Sequence, residues 1–218
     1  MQDLQSALEV LQHGGVIIYP LLALALIALV VMLDKALIYH RHARVPASIR
    51  KLVGTYGFDW TELDRQLEDL GPRHYFGRFF RVIMDNRAEP PWWVESRAGD
   101  EARQIEKALD QGMWVLDTTV TAAPLLGLLG TLFGMMQSFK LIGPGGLLHQ
   151  GGVTAGVAEA LIATALGLFI ALVALFGFNY LARLQARTLD EMEHLGTRLM
   201  DHIRLDHPRQ AARDGDPS

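Results

Sequence analysis

The chain has 218 residues, 50% of them hydrophobic, and a formal charge of −4. With no Cys it can hold no disulfide, thiol nucleophile or thiolate metal site. Its basic residues are mixed with acidic ones along the chain, so nothing suggests nucleic-acid binding. Residues 3–12 place Leu4, Ala7, Leu8 and Leu11 on one helical face. This reads as a short amphipathic helix at a membrane interface over 1–13, with a frayed terminus as the alternative. An uninterrupted apolar run then covers 14–33, long enough to cross a bilayer. The thirteen residues before it lack Lys and Arg and carry Asp3 and Glu9, so an uncleaved span is expected rather than a secretory signal. Tyr19-Pro20 would kink this span or mark its entry. With few small residues after Ala28 and no polar residue inside, the span is expected to face lipid.

Residues 34–113 read as a cytoplasmic helical domain. Asp59 before Trp60-Thr61-Glu62 has the pattern of a capping box, and Gly71-Pro72 ends that helix. Glu89-Pro90-Pro91 punctuates the stretch. Beyond it the pattern predicts a helix running without a break from Trp92 through a second span at 114–141. Such a helix would be about 75 Å long, well over twice the hydrocarbon thickness. Gly143 to Gly146 and Gly151-Gly152 form an external turn over 142–153. A third span covers 154–182 and continues inward as an amphipathic helix to 207, with Leu184, Met192, Leu195, Leu199 and Ile203 at three-to-four spacing. The polar stretch 208–218 is expected to be disordered. The fold class is therefore an all-α integral membrane protein with three transmembrane helices, spans two and three extending as long helices into the cytoplasm.

Charge sets the expected orientation. Of 20 Lys and Arg, none precedes the first span, thirteen lie between Leu33 and Trp114, and six follow Ala182. The remaining one, Lys140, sits beside the short external link. Basic residues near spans stay on the cytoplasmic side. The N-terminus is thus expected outside and the C-terminus inside.

Spans two and three carry residues that a lipid anchor does not need. In span two Pro124, Gly127, Thr131, Gly134 and Ser138 follow at steps of three or four, and Gly130 with Gly134 forms a GxxxG. In span three Gly156, Ala160, Thr164, Gly167, Ala171 and Ala174 form a similar stripe. Two such faces can approach closely and line something narrow, with hydroxyls at Thr131, Ser138 and Thr164. Plain helix packing is the competing reading, since Thr in a span often bonds its own preceding turn. Glu159 and Asp117 are the carboxylates of these two helices, and both lie near span ends. A central carboxylate would mark a proton site. If protons cross here, the group that takes them up must come partly from another subunit. The scattered His residues show no zinc spacing, the Gly127–Gly134 run lacks a phosphate-loop ending, and no cofactor, metal or catalytic set is expected. Trp114 is an expected interfacial anchor.

TAAPLLGLLGTLFGMMQSF, an external turn, and GVAEALIATALGLFIALVALFGFN resemble the MotA/TolQ/ExbB proton-channel family, most of all its ExbB and TolQ branch. The resemblance implies a homo-oligomeric ring, a pentamer, with spans two and three inside. It implies a one-span ExbD- or TolR-type partner whose membrane Asp takes up protons, and a TonB- or TolA-type protein that is energised at the inner membrane. It places the family's two functional threonines on Thr131 and Thr164 and its span-three Glu on Glu159. Ser138 is expected beside them on the pathway. Gly127, Gly130, Gly134, Ala160, Gly167 and Ala171 are expected to form the packing and pore face. One departure stands out: Ala171-Leu172-Val173-Ala174 replaces the usual Ala-Ile-Pro-Ala, so span three is expected to be straighter. A passive homo-oligomeric scaffold in the membrane lipid is the alternative from another class, and an enzyme of the lipid interface is the weakest.

Overall fold

Every regular element in the computed structural model is a helix, among the described residues 16–140 and 150–214. In chain order they are α1 (Ile18–His42), α2 (Ala47–Val53), α3 (Trp60–Leu70), α4 (Tyr75–Asp85), α5 (Pro91–Asp110), α6 (Met113–Lys140) and α7 (Gln150–Asp214). Among the described residues three stretches are long and apolar enough to cross a membrane: Ile18–His42, Pro91–Phe139 and Gly156–Asp206. The expected amphipathic helix at 3–12 and the Gly143–Gly146 turn lie outside the described residues.

Two expectations about helix continuity are corrected. The helix expected to run unbroken from Trp92 is split at Gln111–Gly112. Gly112 takes φ of 87°, a left-handed conformation that glycine adopts at little cost, and the α-helical ladder stops there. The end of α7 corrects the other: the chain stays helical to Asp214, so the stretch from Pro208 is not irregular throughout. Pro20 falls in the first turn of α1, where its missing N–H would have had no helical partner anyway.

The chain divides into two compact units. One comprises Met1–Asp34 and Gly112–Tyr180; the other comprises Lys35–Gln111 and Leu181–Ser218. The first is apolar and glycine-rich. Leu21, Ala123, Ile170 and Ala171 form its buried cluster, joined by Ile17, Leu24, Ala25, Leu126 and Leu166. The first span was expected to face lipid. Leu22, Leu26, Ile27, Leu29, Val30 and Leu33 are indeed exposed, but Leu21 and Ala28 are buried. A Cβ on Gly177 of α7 would come within 2.5 Å of the Met32 side chain, so one face of α1 packs on α7.

The second unit is built like a soluble domain. Phe76, Phe80, Ile83, Leu63, Leu67, Ile105, Leu109, Met192 and Leu199 are fully buried. The amphipathic spacing expected past Asn179 is what places Met192, Leu195, Leu199 and Ile203 in this core. Ion pairs edge it: Arg78 to Glu101 at 2.7 Å, and Arg50 to Glu191. Asp59 caps α3 by accepting from the Thr61 amide at 2.9 Å. Glu62 does not complete the box, because its carboxylate accepts from Arg65 and Gln66. Gly71, with φ of 72°, closes that helix.

Two buried polar groups in this unit were not anticipated. Lys35 is 4% exposed and donates from Nζ to the Ala108 carbonyl, in the last turn of α5, at 3.1 Å. A cation there meets the negative end of the helix dipole just before the Gln111–Gly112 break. His74 caps α4 from within the core. Its Nδ1 accepts from the Gly77 amide at 3.4 Å, and its Nε2–H donates to the Arg44 carbonyl at 3.1 Å. The partners dictate the neutral tautomer, since an amide only donates and a carbonyl only accepts. Burial pushes the His74 pKa down, and the neighbouring His42 acts in the same direction.

Candidate functional site

The face singled out in sequence lies in the apolar unit, where α6 and α7 meet along their small residues. At Gly127 an added Cβ would lie 3.0 Å from the Ala163 carbonyl and 3.1 Å from the Thr164 Cα. At Gly134 it would lie 2.9 Å from the Gly156 carbonyl and 3.0 Å from the Ala160 Cβ. At Gly167 it would lie 2.5 Å from the Ala123 carbonyl and 3.1 Å from the Gly127 Cα. Backbone therefore touches backbone along the seam, and side chains larger than hydrogen would force the helices apart. In lipid, where burial gains little, such close contact is what holds helices together. Gly130 points at a different neighbour: an added Cβ would meet the Ala163 side chain at 2.5 Å and Ile17 at 3.4 Å. Ala171 belongs to the cluster with Leu21 and Ala123.

The hydroxyls separate into two kinds. Thr131 donates to the Leu128 carbonyl at 2.6 Å, and Ser138 donates to the Gly134 carbonyl at 2.9 Å. Both bonds are local back-bonds within α6. Thr164 behaves otherwise. Its Oγ1 crosses the seam and donates to the Gly127 carbonyl of α6 at 3.0 Å. In a regular helix that carbonyl also accepts from the Thr131 amide four residues on. One carbonyl thus joins the Thr164 side chain to the backbone of Thr131. Having given its proton to Gly127, the Thr164 oxygen keeps lone pairs that can accept from a further donor.

Glu159 stands apart from this pair. It borders a cavity of about 230 Å³ with Val16, Ile17, Gly130, Phe133, Gly134 and Gln137. Residues 159 and 163 share a helical face, and Ala163 packs toward Gly130 and Ile17. The structure therefore brings Thr131 and Thr164 to one carbonyl, puts Ser138 at Gly156, and leaves Glu159 on the Ile17 side. Trp114, expected as an interfacial anchor, is exposed. Among the described residues no group of three or more His, Asp or Glu could hold a metal ion.

Sequence reasoning missed Ala163 and Ala123, buried at 1% and 0%, which carry much of the seam. Both are alanines beside the named stripe, and their one available signal was a position one step from it. Lys35 gave a signal that went unused: it is the first basic residue after the apolar run.

Comparison with known proteins identifies the family. ExbB-like 3 of Synechocystis sp. is 31% identical over 182 residues, covering 80% of this chain and 84% of that protein. ExbB-like 1 of the same organism is 28% identical over 189 residues, covering 85% and 74%. The biopolymer transport protein ExbB of Aquifex aeolicus is 39% identical over 80 residues, 37% of this chain and 54% of its own length. Residues 73–194, which hold α4, α5, α6 and most of α7, match the MotA/TolQ/ExbB proton channel family, and the chain is a membrane protein of that family.

Proposed function

We propose that this chain is the ring-forming subunit of an inner-membrane motor of the ExbB type, driven by the proton-motive force. In this reading five copies enclose a one-span, ExbD-type partner whose membrane Asp takes up the proton. The complex then energises TonB-dependent transport across the outer membrane. The N-terminus is periplasmic and the C-terminus cytoplasmic, following the distribution of Lys and Arg. The observation that carries the reading is the Thr164 hydroxyl, held across the seam on the Gly127 carbonyl beside Thr131. Its role is to orient a lone pair toward an incoming protonated carboxyl while the helices stay closed. Between Thr118 and Phe139 the sequence has no Asp or Glu, and between Thr154 and Leu181 it has Glu159 alone, near one end. The carboxyl that cycles its proton must then come from the partner.

The first experiment is purification in mild detergent, with intact-complex mass and identification of partners. A multimer of this chain holding a one-span protein with an acidic membrane residue supports the motor. Thr164→Val is then expected to leave that complex assembled and to stop proton-dependent work, with Thr164→Ser restoring it. Full activity of Thr164→Val would remove the proposed role.

The back-bonded hydroxyls of Thr131 and Ser138 favour a second reading, a passive homo-oligomeric scaffold whose small faces only pack. That reading expects a multimer without a one-span partner. A TolQ-type role in envelope maintenance, with a TolR-type partner and TolA, shares the same seam. The identity of the co-purified partner separates it from the ExbB-type role.

A further inference from the structure

The polar unit carries a groove that the motor reading leaves without a role. It lies between α5 and α7, has a volume of about 420 Å³, and includes Phe79 of α4 in its lining. Ala98, Gly99 and Ala102 on α5 and Gly196 on α7 give it a wall of small residues. At Gly196 the space is already taken, because a Cβ would come within 2.8 Å of Phe79. At Gly99 a Cβ would meet nothing within 4 Å, so that position opens into free groove.

The charges along the groove are unevenly satisfied. Arg103 is paired with Asp100 at 2.6 Å. Arg204 lies 3.7 Å from Glu95 and 3.8 Å from Asp201. Glu106 of α5 and Glu193 of α7, one on each side, make no ion pair among the described residues. A cleft floored by the buried Phe79, Ala98 and Met200, with a carboxylate on either side, suits a helix whose apolar face lies on that floor. Its Lys or Arg would reach the two carboxylates, lying along the wall with the stem buried and the head outward.

We propose that this groove holds a basic, amphipathic cytoplasmic flank of the one-span partner. The proposal rests on the motor reading above. A one-span protein carries its Lys and Arg on its cytoplasmic flank, by the rule that orients this chain. The chain's own segments outside the described residues fit poorly: 1–15 and 141–149 contain no Lys or Arg. Several copies of the groove in one ring would offer the flank more than one place to dock, and charge attraction would set its register.

The test places a benzophenone photo-crosslinking amino acid at Gly99 in the full chain, in native membranes, and maps the adduct by peptide mass. The expected adduct joins position 99 to a basic stretch next to the span of the one-span protein. Its yield is expected to fall by roughly tenfold in Glu106→Lys/Glu193→Lys, where two attractions become repulsions. The charge-neutral Glu106→Gln/Glu193→Gln pair should fall less, and added salt should lower the wild-type yield. An adduct to a second copy of this chain would overturn the proposal. So would no adduct while the one-span partner is present in the purified complex, which leaves the motor reading standing. Absence of any one-span partner from the complex would remove both.

Discussion

The two units solve the same packing problem with opposite residues. In the polar unit, helices are held by large side chains: Phe76, Phe80, Ile83, Leu63, Leu67 and Leu199 are almost wholly removed from solvent. Ion pairs and caps finish the edges. In the apolar unit the contact residues along the seam are Gly127, Gly134, Gly156, Ala160 and Gly167, and many of the large side chains point outward. Leu125, Leu168, Phe169 and Phe176 are all exposed. The solvent explains the difference. Water drives apolar surface inward at about 25 cal/mol per Å², whereas lipid offers no such drive and rewards only close contact. The same chain therefore stores its stability in volume in one unit and in proximity in the other.

Mutations can break that contrast, and the largest effect is expected in the polar core. Phe80→Ala should destabilise this unit by about 3–5 kcal/mol, the cost of a cavity with lost burial. Hydrogen exchange followed by unit should show faster opening of α4 and α5 and little change in α6. The reverse asymmetry is expected for Gly167→Leu. No room exists for the side chain, and overpacking of about 1–3 kcal/mol should fall on α6 and α7 alone. If Gly167→Leu left the seam intact, the close-contact account of this unit would be wrong.

Acid should act on the polar unit. Burial lowers the His74 pKa, so the unfolded chain takes up this proton more readily than the folded one. Above about pH 6.5 both states are neutral at this site and its contribution is constant. Below that, stability should fall with pH by up to about 1.4 kcal/mol per unit, until the folded His74 itself protonates and loses the Gly77 cap. Thermal melts from pH 7.5 to 5 should show this slope in the wild type, and a His74→Gln variant should flatten it. The smallest effect on stability is expected at Thr164. Thr164→Val removes one interhelical hydrogen bond, worth about 0.6 kcal/mol in a membrane. A large loss of helix association would recast Thr164 as structural glue.

The sequence carried the fold class and the three spans, because apolar runs and their length follow directly from the thickness of a bilayer. It also carried the amphipathic stretch at Met192–Ile203 and both small-residue stripes, since residues three or four apart share a face in any helix. Only the tertiary structure decided what those faces touch. Thr131 and Thr164 look alike in sequence, yet one bonds its own helix and the other crosses to Gly127, a difference set by helix rotation. Glu159, near a span end in the sequence and set on the same pathway by the resemblance, borders the cavity that Ile17 lines. The break at Gln111–Gly112 escaped notice because glycine permits a left-handed turn without announcing one, and a helix can also run through it. Burial of Lys35 needed the end of α5 to be brought to it, and periodicity holds no information on which distant carbonyl a cation will meet.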